Sequence, residues 1–402
     1  MKFETYKIAD LIDEISMGPF GSNIKVECFV DDGIPVLNGS NLDGIALSEN
    51  SFRYVTEEKA DSLGKANASR GDVVITHRGT LGQISFIPQN SKYSRYVISQ
   101  SQFRVRCNEK LLPEYLVYYF HTRVGQHKLL ANASQVGVPA LARASTTFQT
   151  IEIETPPIED QRKIVGILET IREKIELNNA INNNLLDQAV AFFSESFASD
   201  SSLAQVKIGD IALNVTDGVH NTVIDDPDGD CYLLSCKNIK GGILSIGVSE
   251  RRINRTTFDK LRKRTKLSKG DILISSVGTV GELLLLNEEP SNYEFQRSVA
   301  IVKPNTEIVS SVYLYLSLVT RKAELINAAH GAVQQCLFIS DIAEFPITIP
   351  NKQAMDEFTK IVVPLFEMIT ANEQENKRLS ELRDALLTKL MSGELDVSAI
   401  EI

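Results

Sequence analysis

Arg70-Gly71-Asp72-Val73-Val74-Ile75-Thr76-His77-Arg78-Gly79-Thr80-Leu81-Gly82 has an echo about two hundred residues later, Lys269-Gly270-Asp271-Ile272-Leu273-Ile274-Ser275-Ser276-Val277-Gly278-Thr279-Val280-Gly281. In both, a basic residue, Gly-Asp, an apolar run, a hydroxyl and Gly-Thr-x-Gly follow in that order. A short run of apolar, mostly β-branched residues bounded by Gly and Asp reads as a strand leading into a turn. Found twice in one chain, it implies one module used twice, and two copies of whatever that module grips.

The repetition reaches well beyond the turn. Tyr6-Lys7-Ile8-Ala9-Asp10-Leu11 matches Val206-Lys207-Ile208-Gly209-Asp210-Ile211, and Val36-Leu37-Asn38-Gly39-Ser40-Asn41 resembles Leu233-Leu234-Ser235-Cys236-Lys237-Asn238. Tyr115-Leu116-Val117-Tyr118-Tyr119 resembles Val312-Tyr313-Leu314-Tyr315-Leu316. Each repeat therefore opens with a mixed or β-rich globular domain of roughly 150 residues. Each closes in a long helix. After Pro156-Pro157, apolar residues fall at Ile164, Leu168, Ile171 and Ile175, then at Leu185, Ala189 and Phe192, the steps of a coiled-coil seam. Asn178 and Asn182 hold the seam between them. A constant shift of 194 gives Phe358, Val362, Leu365, Ile369, Asn372, Asn376, Leu379, Arg383 and Leu386. Two helices with matching seams are expected to pair antiparallel, Asn178 facing Asn376 and Asn182 facing Asn372. Buried Asn pairs penalise slipped registers at some cost in stability. A helix of about 38 residues at about 1.5 Å per residue spans roughly 57 Å, enough to act as a ruler. Pro364, inside the second helix, is expected to kink it or delay its start.

The bulk numbers narrow the classes. The chain has 402 residues, 43% apolar and 23% charged, as in ordinary globular proteins, and a length that favours two to four domains. Cys28, Cys107, Cys231, Cys236 and Cys336 are odd in number and scattered, which argues against a disulfide framework and a zinc site and for reduced thiols. The N-terminus lacks an apolar signal core and no run approaches 18 apolar residues, so a cytoplasmic protein is expected.

A net charge of −10 argues against a nucleic-acid binder when averaged over the chain, but the charges are unevenly placed. From Arg251 to Lys269 there are nine Lys or Arg, including Arg262, Lys263 and Arg264, and only Asp259 opposes them in that stretch. The corresponding stretch of the first repeat carries Arg53, Lys59, Lys65 and Arg70, followed by His77, Arg78, Lys92, Arg95, Arg104 and Arg106. Basic side chains beside Gly-rich turns are what phosphates require, and paired polar side chains are what base edges require. Candidates for DNA contact in the first module are Ser22, Asn23, Asn38, Ser40, Asn41, His77, Arg78, Thr80, Gln100, Gln102 and Gln135. In the second they are Asp217, His220, Asn221, Lys237, Asn238, Arg262, Lys263, Arg264, Ser276, Thr279, Arg297, Gln334 and Gln335. His77-Arg78 against Ser276-Val277 is a difference inside a matching frame, where two modules would read different sequences.

Catalytic readings find little. Gly79-Thr80-Leu81-Gly82 lacks the Lys-Ser/Thr of a phosphate-binding loop, and a Gly-Asp turn before a strand explains Asp72 and Asp271 without chemistry. There is no Gly-x-Ser-x-Gly elbow, and Thr155-Pro156-Pro157-Ile158 lacks the acid or amide and the aromatic of an adenine-methyltransferase motif.

Taken in order, these segments resemble the DNA-specificity subunit of type I restriction–modification enzymes over essentially the whole chain. The paired Gly-Asp and Gly-Thr-x-Gly runs look like the strand-turn of its target recognition domains. Pro156-Pro157-Ile158-Glu159-Asp160-Gln161-Arg162-Lys163-Ile164 resembles the start of its long helices, and Leu382 to Leu395 resembles its C-terminal ending. Thr216-Asp217-Gly218-Val219-His220-Asn221-Thr222 resembles an Asp-Gly-x-His turn of these domains. The chain departs from the pattern at Pro350-Asn351, at Met355 in place of Gln161, and at Met17-Gly18-Pro19-Phe20 in place of Asp-Gly-x-His.

The resemblance implies an α+β fold. Target recognition domains would occupy 1–155 and 200–349, with long helices over 156–199 and 350–402 forming an antiparallel coiled coil about a pseudo-twofold. It further implies that each domain reads one half of a split, asymmetric site in the major groove of double-stranded DNA, that the helix pair sets the unread gap, and that the helices dock two methyltransferase subunits. Those partners would carry S-adenosylmethionine and flip the target adenine. Motor-nuclease subunits with ATP and magnesium would join them, and the chain itself would hold no cofactor or metal and catalyse nothing. Two other readings compete: a structural adaptor whose modules bind proteins rather than DNA, and a nuclease or methyltransferase in its own right.

Overall fold

A computed structural model describes residues 1–134, 137–197, 203–247, 249–331 and 335–400. The described chain forms two compact units, Met1–Ile175 with Arg378–Ile402, and Glu176–Lys377. The two long helices, Ile158–Phe197 and Lys352–Met391, supply residues to both units.

In the first unit, four antiparallel strands run in the order Ile12–Met17, Gln102–Cys107, Val73–Thr76, Ile84–Phe86. Val73–Thr76 is buried at every position, as expected of a central strand covered on both faces. One face packs under the helix Pro113–His121, where Tyr115, Leu116, Tyr118 and Phe120 are buried against Val73, Ile75, Phe103 and Val105. The other face meets a smaller core of Leu37, Leu42, Val74, Ile87, Tyr96 and Ile98 under a five-stranded sheet. A separate ribbon pairs Glu4–Lys7 with Glu152–Thr155 and closes the repeat on itself.

The second unit repeats the plan. Ala212–Asp217, Val299–Pro304, Ile272–Ser275 and Leu283–Leu285 form the same antiparallel sheet, and Ala204–Lys207 pairs with Pro346–Ile349. Each sheet also has a bulge in its first strand, where the register passes from Ile12 to Glu14 and from Ala212 to Asn214. An irregularity kept at the same place in both copies marks a shared template. The accessory sheet differs, with three strands in place of five.

The Gly-Asp motif explains itself in this frame. Asp72 is fully buried and accepts from the Ser69 N–H at 2.9 Å and from Arg106 Nε at 2.8 Å, with Arg104 Nη1 at 3.4 Å. Asp271 accepts from the Ser268 N–H at 2.9 Å and is ion-paired with Lys303, while burial pushes its carboxyl above the usual range. The aspartate locks the turn that starts the central strand to a cation on the neighbouring strand.

Both helices are 40 residues long, and Pro364 neither breaks nor delays the second, which begins at Lys352. In the second unit they run antiparallel: Asn178 donates to Asn376 at 2.9 Å and Asn372 donates to Asn182 at 2.7 Å. Asn178 is 1% exposed and also donates to Glu375 at 2.7 Å. Beyond the asparagines the buried positions are Leu185, Ala189, Phe193 and Phe197, a step of four throughout, with Phe192 stacked at the edge on Phe358. That face is wider than a two-helix seam because it also covers the sheet's helix through Tyr313. In the first unit Ile164 and Leu168 share a core with Leu387, Leu390 and Met391, so the buried row passes beside Leu386 rather than through it.

Candidate nucleic-acid interface

The strand Val73–Thr76 runs out of the core at His77 and turns back by Ile84. Gly79 and Gly82 take positive φ values of 94° and 89°, a backbone conformation that favours glycine, and a Cβ on Gly82 would displace the end of the Gln126 side chain, 2.5 Å away. The turn is held on three sides. The His77 N–H donates to Ser101 O at 2.9 Å, the Leu141 N–H donates to His77 O at 2.8 Å, and the Gly79 N–H donates to Pro139 O at 2.9 Å. Gln126 Nε2 donates to Gly82 O at 2.9 Å, while Gln83 Nε2 donates to Gly39 O at 2.9 Å and Asp43 at 2.7 Å. Arg78 and Thr80 stand exposed at the tip of this fixed turn.

The second unit builds the same cradle with other atoms. The Ser276 N–H donates to Ser298 O at 2.9 Å, and the Leu337 N–H donates to Ser276 O at 2.9 Å. The glutamine brace becomes an ion pair, Glu282 with Lys322 at 2.6 Å, and Glu282 also accepts from the Gly241 N–H at 2.8 Å. Thr279 is exposed at the tip.

A second loop lies beside each turn. Gly18 and Gly218 follow the first strand of each sheet, where a Cβ would sit 1.9 Å from Ser99 O and 2.2 Å from Gln296 O respectively. The Met17-Gly18 and Asp217-Gly218 dipeptides are therefore the same turn despite their different sequences. In the first unit Gln100 is exposed, its side-chain Oε1 against Gly21 and its carbonyl 3.2 Å from His77 Nε2. That places Gln100, His77, Arg78 and the exposed Asn23 on adjoining loops. Burial holds the His77 imidazole below its usual range, so it is neutral at pH 7 and half-buried, a support rather than a cationic contact. In the second unit Asp217 holds His220 on one carboxylate oxygen and Arg264 on the other, at 3.2 Å, while Arg264 also donates to Gly218 O. Asp217 thus positions two basic groups, and as a carboxylate it is not itself a phosphate contact. His220, Asn221 and Arg297 are exposed.

Several candidates are internal. Asn41 and Asn238, both buried, do one job in the two modules: each accepts from the N–H three residues earlier and donates to the carbonyl seven residues later. They are loop staples and reach no ligand. Asn38 is exposed, but its Oδ1 accepts from the Ser40 N–H and hydroxyl. Gln102 is 1% exposed, and Ser276 is buried with its hydroxyl on Arg297 O. Arg262 is drawn inward onto the buried Glu294 and the carbonyls of Leu267, Pro290 and Tyr293, which engages all three of its nitrogens. Gln135 and Gln334 lie outside the described residues, as does the side chain of Ser22; Gln335 is exposed.

The basic clusters shrink likewise. Arg251 pairs with Asp225, Arg255 with Asp230, Arg95 with Asp61, and Arg104 with Glu14 and Asp72. Arg70 donates to Ser91 O, and exposed Lys237 pairs with Glu250 at 3.0 Å. Exposed Lys263 keeps its charge for the surface. The braces Gln83, Gln126, Glu282 and Lys322 escape a search for surface chemistry. A signal for two of them exists, because a long polar residue directly follows the last glycine of both Gly-Thr-x-Gly runs. Among the described residues, no group of three or more His, Cys, Asp or Glu is placed to hold a metal ion, and no helix is long and apolar enough to cross a membrane.

Two copies of one loop-presenting sheet module, tied to paired helices, define a class of protein built to recognise something in two places. The chain belongs to the type I restriction modification DNA specificity domain family, whose model matches residues 2–187 and 228–382. It is a specificity subunit, the DNA-sequence-recognising and non-catalytic member of such systems. It is 23% identical to the type I restriction enzyme MjaIX specificity subunit of Methanocaldococcus jannaschii, over 99% of this chain and 94% of that one. It is also 23% identical to the EcoBI specificity subunit of Escherichia coli, over 69% and 65%. Among solved structures, the S subunit of a type I system from M. genitalium matches 97% of this chain and 96% of its own, with a TM-score of 0.55 at 17% identity, a likeness of fold.

Proposed function

We propose that this chain reads a bipartite, asymmetric DNA site, with one half per module and the helix pair setting the gap between them. Residues 1–155 and 200–349 are the two recognition domains, and 156–199 and 350–402 the helices. Asn23, Arg78, Thr80 and Gln100 carry the first half-site, and His220, Asn221, Thr279 and Arg297 the second. Asp217 orients Arg264 and His220, with Lys263, next to Arg264 in sequence, for phosphates. The helices dock two methyltransferase subunits, which bring S-adenosylmethionine, and motor-nuclease subunits with ATP and magnesium join through them. One observation supports this reading above the rest: the same cradle is built twice with different groups leading into its exposed tip, the exposed Arg78 in one and the half-buried Val277 in the other, as two different half-sites require.

Binding of defined duplexes by the complex tests it. Arg78→Ala should cost about 1–3 kcal/mol against the first half-site and relax its sequence preference, leaving the second intact. An equal loss on every duplex would make Arg78 a phosphate contact. The log–log salt slope should be about −0.9 per phosphate contacted, and a flat response removes DNA as the ligand. Deleting seven residues from the 158–197 helix should change the preferred gap or abolish binding; an unchanged gap refutes the spacer.

A further inference from the structure

The loop after the first sheet strand presents bare apolar side chains in each module, Phe20 and Val26 in the first, of which Phe20 is the one beside Gln100, and Ile224 in the second. Phe20 is 84% exposed and Ile224 is 87% exposed. Neither belongs to a core, yet the backbone around each is fixed. On either side of Phe20, the Gly18 N–H donates to Gln102 O at 2.8 Å and the Asn23 N–H donates to Phe20 O at 2.8 Å, while Gly21 abuts Gln100. On either side of Ile224, Arg251 donates to Val223 O at 2.9 Å and to Asp225 at 2.8 Å, and the Asp226 N–H donates to Arg252 O at 2.8 Å. A loop whose backbone is already hydrogen-bonded gives up less conformational freedom when an apolar side chain it holds in water is covered. Phe20 lies on the loop that meets Gln100, and Ile224 lies on the loop that carries His220 and Asn221.

The major groove offers one apolar feature, the C5-methyl of thymine. We propose that Phe20 and Ile224 each pack on a thymine methyl, one in each half-site, and so supply the apolar part of sequence reading. This rests on the DNA-reading function above and adds the chemistry of one base in each half.

The test uses the full chain in complex with its methyltransferase subunits and labelled duplexes carrying its own modified site, each thymine replaced in turn by deoxyuridine. One replacement in the first half-site should weaken binding about fourfold, the effect of uncovering one methyl-sized group. Phe20→Ala should weaken binding to the thymine duplex by a similar factor and be blind to that replacement, while Phe20→Leu keeps the sensitivity. Ile224→Ala should do the same at a thymine of the second half-site only. Losses that simply multiply, or a half-site in which no thymine replacement is sensed while sequence preference persists, overturn the proposal and leave the DNA-reading function standing. A wild-type complex with no sequence preference at all overturns both. Because both side chains are exposed, unchanged thermal melting of the variants separates lost contact from lost fold.

Discussion

Asp72→Ala should unfasten the first module from its foundation. The carboxylate is fully buried and accepts from the Ser69 N–H at 2.9 Å, from Arg106 at 2.8 and 3.1 Å, and from Arg104 at 3.4 Å. Breaking a buried ion pair by removing one member costs about 3–5 kcal/mol, because the other charge is left unpaired. Two features reduce that here. The Arg106 side chain is 45% exposed and rehydrates, and Arg104 keeps Glu14 at 2.8 Å. About 3 kcal/mol is therefore expected, a large part of the roughly 5–15 kcal/mol that holds a domain folded. Amide exchange at Val73, Val74 and Ile75 should accelerate by about two orders of magnitude, with the amides of Ile272–Ile274 unchanged. With a urea slope of about 2 kcal/mol/M, the first transition should move down by about 1.5 M. Asp72→Asn, which keeps an acceptor for Ser69, should lose less than Ala. A loss below about 1 kcal/mol, or equal acceleration in both modules, would refute the assignment of Asp72 as the local lock.

Glu373 is pushed up to about 7, first by burial and then by Glu288, which accepts from Gln374; Tyr315 also faces it. A folded acid with a raised value holds its proton longer than the unfolded chain, so stability is full at low pH and is lost as pH rises from about 4.5 through 7. Glu373→Gln should therefore melt higher than the parent at pH 8, by at most about 3 kcal/mol, and alike below pH 4.5; equal melting at pH 8 contradicts the shift. Asn178→Ala should cost about 1–3 kcal/mol by removing the donor to Asn376 and Glu375, measured by urea denaturation, whereas Asn178→Leu with Asn376→Leu should restore stability while loosening the register. Because His77 is neutral, DNA affinity should not change through it between pH 7 and 8.5, and a step there that His77→Gln abolishes would show a charged imidazole in contact.

Features set by near neighbours were legible in the sequence. The Gly-Asp and Gly-Thr-x-Gly frames announce a strand and a turn, and the shifted Asn pairs announce the helix register, since local spacing decides both. Long-range pairing was not legible. The stretch from Arg251 to Lys269 looks like an open basic patch because its partners lie elsewhere: Asp225 is 26 residues before Arg251, and Glu294 is 32 after Arg262. Nor does chemistry alone separate reading from bracing. Asn41 and Asn238 look like base readers but are identical in both copies, and what two modules with different targets share is the frame. Phe20 and Ile224 carry no signal in the sequence, because a lone apolar residue in a loop reads the same whether the fold buries it or leaves it bare.

Mapping of methylated adenines across the genome of cells expressing the chain with its methyltransferase subunits tests the central claim most directly. One motif in two specified halves at a fixed gap is expected, with Arg78→Ala degrading one half and Arg297→Ala the other. A single unbroken motif, or both halves degraded by either substitution, would contradict it.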